Sequence, residues 1–429
     1  MAAGHSVDPD RWLGALDELM LRVGSRFGRV EPRRRARAFV LGLLAELPRK
    51  NCWTIAEHAG DATPDGMQHL LARARWDAGG VRDDLRGYVT GQLGHPGAVL
   101  VVDETGDLKK GTATVAVQRQ YTGTAGRIEN AQVAVYLSYA AAAGHALIDR
   151  ELYLPRSWTD DPARCRAAGI PADVGFATKP QLARRMIERA VTAGVPFAWV
   201  AGDEVYGDNG PLRAWLEDSQ IRYVLAVSCD HGVPAGAGYL RADEIAARLP
   251  RRSWQRLSAG EGARGHRYHD WAWITIPGPG PGWRWLLIRR TPRTGELAFY
   301  RCYAPHPVPL AALVTAAGRR WTVEENFQAG KGLAGLDEHQ VRRWTSWYRW
   351  ATLAMLAAAF LTIAAATEHA RSPAPAGQAL LTRNEIAHLL ATLTSPARDV
   401  RHRMRWSRWR RRHQHRARAC HYQRQSARE

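Results

Sequence analysis

"GAVLVVDETGD", residues 97–107, sets four apolar residues, Val99 to Val102, directly before Asp103 and Glu104. A continuous apolar run of this length predicts a strand buried on both faces. The pattern returns in "PFAWVAGDEVYGDNG", residues 196–210, where a second apolar run ends in Asp203 and Glu204. Layered α/β folds carry their reactive groups at strand ends. One acid after a strand reads as a solvated loop residue, whereas two such ends in one layer point to a shared acidic site. Alternation along the first strand puts Val99, Val101 and Asp103 on one face and Glu104 on the other. By analogy, Asp203 rather than Glu204 faces inward.

Between and beyond these runs, "AQVAVYLSY" (131–139) and "ALIDRELYL" (146–154) show the partial alternation of half-exposed strands, and "RYVLAVS" (222–228) reads as a further strand. "KPQLARRMIERAVTAG" and "PLRAWLEDSQ" have helical periodicity. A meander followed by alternating helix and strand predicts a mixed α/β layer over residues 96–228. Residues 229–304 are rich in Gly, Pro and short Trp-bearing strands and read as a β-rich insertion; Trp271, Trp273, Trp283 and Trp285 there have the spacing of a packed strand face. Residues 305–371 return to helix. The apolar run at 353–366 is shorter than the ~20 residues of a spanning helix and reads as a buried one. Residues 1–95 read as helical, with a break at "GDATPD" between two short helices, the second capped near Thr63 or Asp65. That pair suits either a helix-turn-helix or a plain bundle. A Pro/Ala/Gly linker at 372–377 leads to a short helix and a basic tail within 372–429.

Charge narrows the function. Sixty Lys and Arg against 41 Asp and Glu give a net charge of +19 and a pI near 10.3. Such a balance points to a polyanionic partner, nucleic acid above all. Arg408, Arg410, Arg411 and Arg412 cluster in the tail with Trp406, Trp409 and Tyr422, a mixture suited to phosphates and base or sugar faces. His402, His413, His415 and His421 lie among those arginines, which would repel a metal cation. Five widely spaced cysteines form no Cys-x-x-Cys pair, which argues against a zinc ribbon and suits free thiols in a reducing cytosol. The N-terminus has no apolar signal core.

A site for two divalent ions needs a third acid. In "RRWTVEENFQAGK", Arg320, Glu324 and Lys331 recur at four and seven residues and share one helical face. Taken alone, that spacing reads first as a helix with an intrahelical ion pair.

The strings "VVDETGDLKKGTATVAVQRQYTGTAGRIENAQVAVYLSY", "ELYLPRSWTDDPARCRAAGIP", "WVAGDEVYGDNGPLR", "RRWTVEENFQAGKGLAGLDEHQVRRWTSWYRW" and "WSRWRRRHQHRARACHY" resemble the DDE-type bacterial transposases of the insertion sequence 701 family, over nearly the whole chain. Related families carry Tyr-x2-Arg-x3-Glu-x6-Lys on their last helix. Arg320, Glu324 and Lys331 match that spacing, while the tyrosine position is Ala317, a departure. The resemblance implies an RNase H-like catalytic core with Asp103 on the first strand, Asp203 just after the fourth and Glu324 on a late helix. It implies that these three residues are catalytic and hold Mg2+ or Mn2+, two ions by expectation, and that Arg320 and Lys331 clamp phosphates. Lys109, Lys110, Arg119 and Arg127, between the first strands, are expected to track a DNA backbone. The implied activity is cleavage at transposon ends followed by joining of the freed 3′-OH to target DNA. Terminal inverted repeats and target DNA would be the partners of a homodimer assembled on DNA in the bacterial cytoplasm. The alternatives are an inactive transposase-derived DNA-binding regulator and an RNase H-like nuclease that cuts without joining.

Overall fold

A computed structural model of the chain describes residues 9–235, 238–262, 265–371, 380–394 and 399–426. The linker expected at 372–377 lies outside the described residues. By internal contacts the chain divides into a helical unit, residues 1–84 with 329–429, and a sheet unit, residues 85–328.

The helical unit begins with α1 (Pro9–Arg22), α2 (Val30–Leu44), α3 (Cys52–His58) and α4 (Asp65–Ala72). Asn51 caps α3 in a reciprocal capping box with Thr54. The N-cap of α4 is Pro64, between the two expected residues and without a side-chain cap, while the Thr63 hydroxyl donates to the Asp65 carboxylate at 3.0 Å. Helix α5 (Ala78–Leu93) runs from this unit into the next.

The sheet unit then lays down β1 (Val99–Leu108), β2 (Gln118–Thr122), β3 (Arg127–Ala140), β4 (His145–Leu152), α6 (Arg156–Thr159), α7 (Pro162–Ala168), α8 (Lys179–Thr192), β5 (Trp199–Gly202), α9 (Glu204–Gly207), α10 (Gly210–Asp218) and β6 (Tyr223–Val227). The core order is β4-β3-β1-β5-β6, with β1, β5 and β6 parallel and β3 antiparallel to β1. This is the RNase H-like arrangement. Two expectations change. β1 does not stop at Val102 but continues to Leu108, because its polar half keeps pairing with β3 down to Leu108 opposite Ala131. Nor are β3 and β4 half-exposed: Ala131 to Ala140 are all buried, and so are Ala146 to Arg150. Helix α8 packs against β3, and Phe327 meets Tyr136 of β3 edge-on at 5.6 Å.

Next come β7 (Gly232–Ala235), β8 (Gly238–Arg241), α11 (Ala242–Arg248), β9 (Gln255–Gly262), β10 (Gly265–Thr275), β11 (Trp283–Arg290) and β12 (Leu297–Ala304). β7 and β8 form a separate hairpin. The other four do not form a sheet of their own: β12 pairs antiparallel with β6, so β12-β11-β10-β9 prolongs the main sheet. The packed face expected from period-two spacing holds only in part, because Trp283 is exposed. Trp271 and Trp285 are buried, and Trp273 stacks on Trp285 at 5.7 Å.

The sheet unit closes with α12 (Leu310–Arg319) and the start of α13 (Thr322–Ala334). The remaining helices, α14 (Trp344–Arg371), α15 (Arg383–Thr394) and α16 (Val400–Ser426), join α1 to α4. α14 is 28 residues long and so extends beyond the apolar run at 353–366 on both sides. By length and composition it is sufficient to cross a membrane, yet it is mostly buried as the central helix of this unit. It packs on α2, α4 and α15, with Trp350 edge-on to Phe39 at 5.4 Å.

Candidate acidic site

The parallel β1–β5 ladder ends where Val102 pairs with Gly202. β5 stops there and Asp203 becomes the N-cap of α9, accepting a hydrogen bond from the Val205 N–H at 3.0 Å. β1 runs on beside β3 alone. The chain therefore opens on that side of β1 just as it reaches Asp103 and Glu104. One carboxylate oxygen from each of Asp103, Glu104 and Asp203 lies within 4.8 Å of the others. Glu204, the neighbour set aside on sequence grounds, is exposed.

The site is electrostatically loaded. Burial, then the neighbouring Asp203 and Glu104 charges, push Asp103 up to about 8; the Glu104 N–H and Arg320 pull the other way. Asp203 rises to about 6 through burial and Glu104, against Arg320, the Val205 N–H and Lys179. Hard carboxylate oxygens crowded at partial burial, on acids of which two are pushed towards their protonated forms, make an acidic cluster able to hold a divalent cation.

Arg320 sits among the acids. It is not on α13 but caps the C-terminus of α12, one residue before α13 begins after Trp321. Its guanidinium lies 3.2 Å from Glu324 and 4.0 Å from Asp103. Glu324 is thus brought to the same side of the sheet through Arg320, while the close cluster of three carboxylates is Asp103, Glu104 and Asp203. The start of α13 is tied down at the two residues after Glu324. Asn326 Nδ2 donates to Ser138 Oγ at 2.6 Å, and His145 places Nδ1 2.7 Å from Asn326 Oδ1 and Nε2 3.0 Å from Glu325 Oε2. Lys331 lies seven residues beyond Glu324, on the part of α13 that falls in the helical unit.

Three residues at the site were not singled out from sequence: Glu104, left without a role, and its partners Lys179 and Tyr206. Lys179 Nζ is 2.6 Å from Glu104 Oε1, and the Tyr206 hydroxyl donates to Glu104 Oε2 at 2.7 Å. A signal existed. Thr178 and Gln181 form a capping box with Pro180 between them, which starts α8 at Lys179. A cation at the first residue of a helix opposes the helix dipole, which marks Lys179 as a residue that an acid from another element would stabilise.

The basic residues expected on DNA occupy separate places. Lys110, Arg119 and Arg127 are exposed at the far end of β1 and its neighbours, with Arg127 paired to Glu129 at 2.8 Å. Lys109 is six residues along the chain from Asp103, roughly 20 Å at strand rise. In the tail, Arg408, Arg411 and Arg412 are exposed, whereas Arg410 pairs with Glu57 at 2.7 Å. Trp406 is fully buried and donates to the Asp61 carbonyl, and Trp409 packs edge-on against Trp53 at 4.6 Å. These two tryptophans dock the tail helix on α3 and its following turn instead of presenting base-stacking faces; the side chain of Tyr422 lies outside the described residues.

A family model described as DDE superfamily endonuclease matches residues 22–268, more than half of the chain. A protein of Microchaete diplosiphon named "Probable transposase for insertion sequence element IS701" is 30% identical over 195 residues, which cover 45% of this chain and 48% of the relative. The matched stretch thus spans about half the length of that relative. An RNase H-like sheet, paired acids at its parallel strand ends and this match agree: the chain belongs to the DDE superfamily endonucleases.

Proposed function

We propose that this chain is a DNA transposase that cuts at the ends of its element and joins the freed 3′-OH to target DNA. The observation that carries the reading is the joint termination of β1–β5 pairing, which delivers Asp103 and Asp203 to one partly buried cluster in a chain of net charge +19. Asp103 and Asp203 would bind a divalent ion directly, with Glu324 reaching it on release from Arg320. Mg2+ or Mn2+ there, two ions by expectation, would activate the attacking oxygen and stabilise the leaving one. The protein's own part is to position. Arg320, half-buried beside two acids, gives a planar fork suited to a phosphate, with Lys331 further along α13 as a second phosphate contact. In the first step water adds to phosphorus as the bond to the 3′-oxygen breaks, leaving a 3′-OH and a 5′-phosphate. In the second, that hydroxyl adds to a target phosphodiester and displaces its 3′-oxygen.

Double-stranded DNA, as terminal inverted repeats and target, is the proposed partner, met by the basic β1–β3 end and α16. A homodimer assembled on two ends and a place in the bacterial cytoplasm accompany that reading. The test is cleavage of a plasmid carrying the repeats that flank the gene, with Mg2+ or Mn2+, followed by strand transfer from pre-cleaved ends. Transfer supports the proposal. Cutting without transfer favours a nuclease, and binding without cutting favours an inactive regulator.

A further inference from the structure

We propose that Glu104 is not a metal ligand but, with Tyr206, a positioning residue that fixes Lys179 as a phosphate-binding cation at the acidic site. The inference rests on the transposase reading for its substrate, a DNA phosphodiester, and on geometry for the rest. Both oxygens of the Glu104 carboxylate are engaged, one by the Lys179 ammonium at 2.6 Å and one by the Tyr206 hydroxyl at 2.7 Å. A divalent ion on the same carboxylate would stand against that ammonium. The two aspartates are held differently. Asp103 accepts the Glu104 N–H and stands 4.0 Å from Arg320, and Asp203 accepts the Val205 N–H.

The three residues come from separate elements, each locked. Glu104 is held in register in mid-strand opposite Val135. Tyr206 is buried in α9, directly after the Asp203 cap. Lys179 is the first residue of a helix started by a full capping box. A cation there is disfavoured by the helix dipole, and the ion pair with Glu104 offsets that cost.

The ammonium remains available. Its side chain is 23% exposed, close to the 26% of Arg320, and an ammonium has three donors of which one serves Glu104. Lys179 and Arg320 both act electrostatically on Asp203, and they pair with the two neighbouring acids of the cluster, Glu104 and Asp103. A DNA strand crossing the acids would meet two cations of different kinds, a point charge at Lys179 and a fork at Arg320.

The experiment uses the full chain and two probes, Mn2+ alone and a duplex carrying the flanking repeats. Mn2+ affinity is read by electron paramagnetic resonance. Asp103→Asn and Asp203→Asn are expected to weaken it more than about 100-fold, and Glu104→Gln clearly less, within the roughly 10–100-fold range of residues beside but not on the metal. Glu104→Gln as damaging as Asp103→Asn makes Glu104 a ligand and overturns the proposal. Lys179→Gln is expected to leave Mn2+ affinity equal or tighter, to lower the slope of log affinity for the duplex against log salt by about one, and to slow cleavage about 100-fold, with Lys179→Arg recovering part of the loss. An unchanged salt slope for Lys179→Gln overturns it equally. Tyr206→Phe keeps the ring packed and is expected to reproduce a weaker form of the Lys179→Gln effect, which separates positioning from misfolding. Should the wild-type protein fail to cut DNA at all, the transposase reading fails, while the Mn2+ and salt measurements still decide the roles of Glu104 and Lys179.

Discussion

Val102 and Gly202 are the last partners in the parallel β1–β5 ladder, and the residue after each is an aspartate. The register brings the two acids to the same level of the sheet, and beyond that level their surroundings diverge. Asp103 continues in β1 opposite Tyr136, while Asp203 turns into α9.

Because α9 hangs from that turn, its fit against the sheet controls Asp203. Gly207, its last residue, is the tightest point: a Cβ there would fall 1.7 Å from the Ala226 carbonyl oxygen of β6. Backbone cannot yield as a side-chain tip can. Gly207→Ala is expected to destabilise the protein by about 1–3 kcal/mol or more and to weaken Mn2+ binding by displacing Asp203. Gly210→Ala, where the added atom meets nothing within 4 Å, is expected to be near neutral. Urea denaturation and Mn2+ titration of both variants check this.

The raised acids set a pH dependence. For Asp103, with an ordinary value of 3.8 and a folded value of about 8, the folded state keeps a proton that the unfolded state loses. Stability contributed by this group is therefore full below pH 4 and declines as pH rises towards 8, by up to about 1.4 kcal/mol per unit. Asp203 acts the same way between 3.8 and about 6. Asp103→Asn is expected to gain stability over the metal-free wild type progressively from pH 5 to pH 8. Added Mg2+ should stabilise the wild type more at pH 8 than at pH 6, since it competes with those protons, and leave Asp103→Asn unmoved. Chemical denaturation with and without the ion measures both differences; a parallel pH profile for variant and wild type would contradict the assignment.

The apolar runs before Asp103 and Asp203 were legible because strand burial and acid placement are local properties. The continuation of β1 to Leu108 was not, since its polar half is a strand only through pairing with β3. The role of Glu104 was hidden for a similar reason: its partners lie 75 and 102 residues away. Helical spacing related Arg320 correctly to Glu324, yet periodicity does not register the change of helix at Trp321. In the tail, composition identified arginines and aromatics together but not that Trp406 and Trp409 serve docking.

In the helical unit, Arg349 of α14 is buried against main chain. Its guanidinium donates to the carbonyls of Leu70, Leu71, Ala74 and Trp76 at 2.5 to 3.3 Å, closing the C-terminal end of α4. Trp76 lies beneath it, with the guanidinium carbon 5.1 Å from the ring centroid. Lysine offers no fork to reach several carbonyls, and methionine leaves them all unmet. Arg349→Lys is expected to cost about 1–3 kcal/mol and Arg349→Met more, seen as a lower urea midpoint. DNA affinity measured well below that midpoint should change little for Arg349→Lys.

Helix α16 is the strongest candidate for backbone binding: Val400–Ser426 holds ten arginines and no acid. Its first half is clamped to α3. Trp53 meets Trp409 and His413, each at 4.6 Å, and Arg410 is taken by Glu57. From Arg411 to Cys420 every residue is exposed. Arg411, Arg412, Arg416 and Arg418 are therefore expected to meet phosphates, and Arg410 is not. Replacing Arg411, Arg412 and Arg416 with glutamine should reduce the salt slope of duplex binding by about one for each phosphate left without its arginine, while Arg410→Gln changes it little. Trp53→Ala, which frees the helix without altering charge, should weaken binding at every salt concentration and leave the slope nearly unchanged. Fluorescence anisotropy at salt concentrations from roughly 50 to 200 mM separates the two effects, and an undiminished slope in the triple variant would remove α16 from the DNA interface.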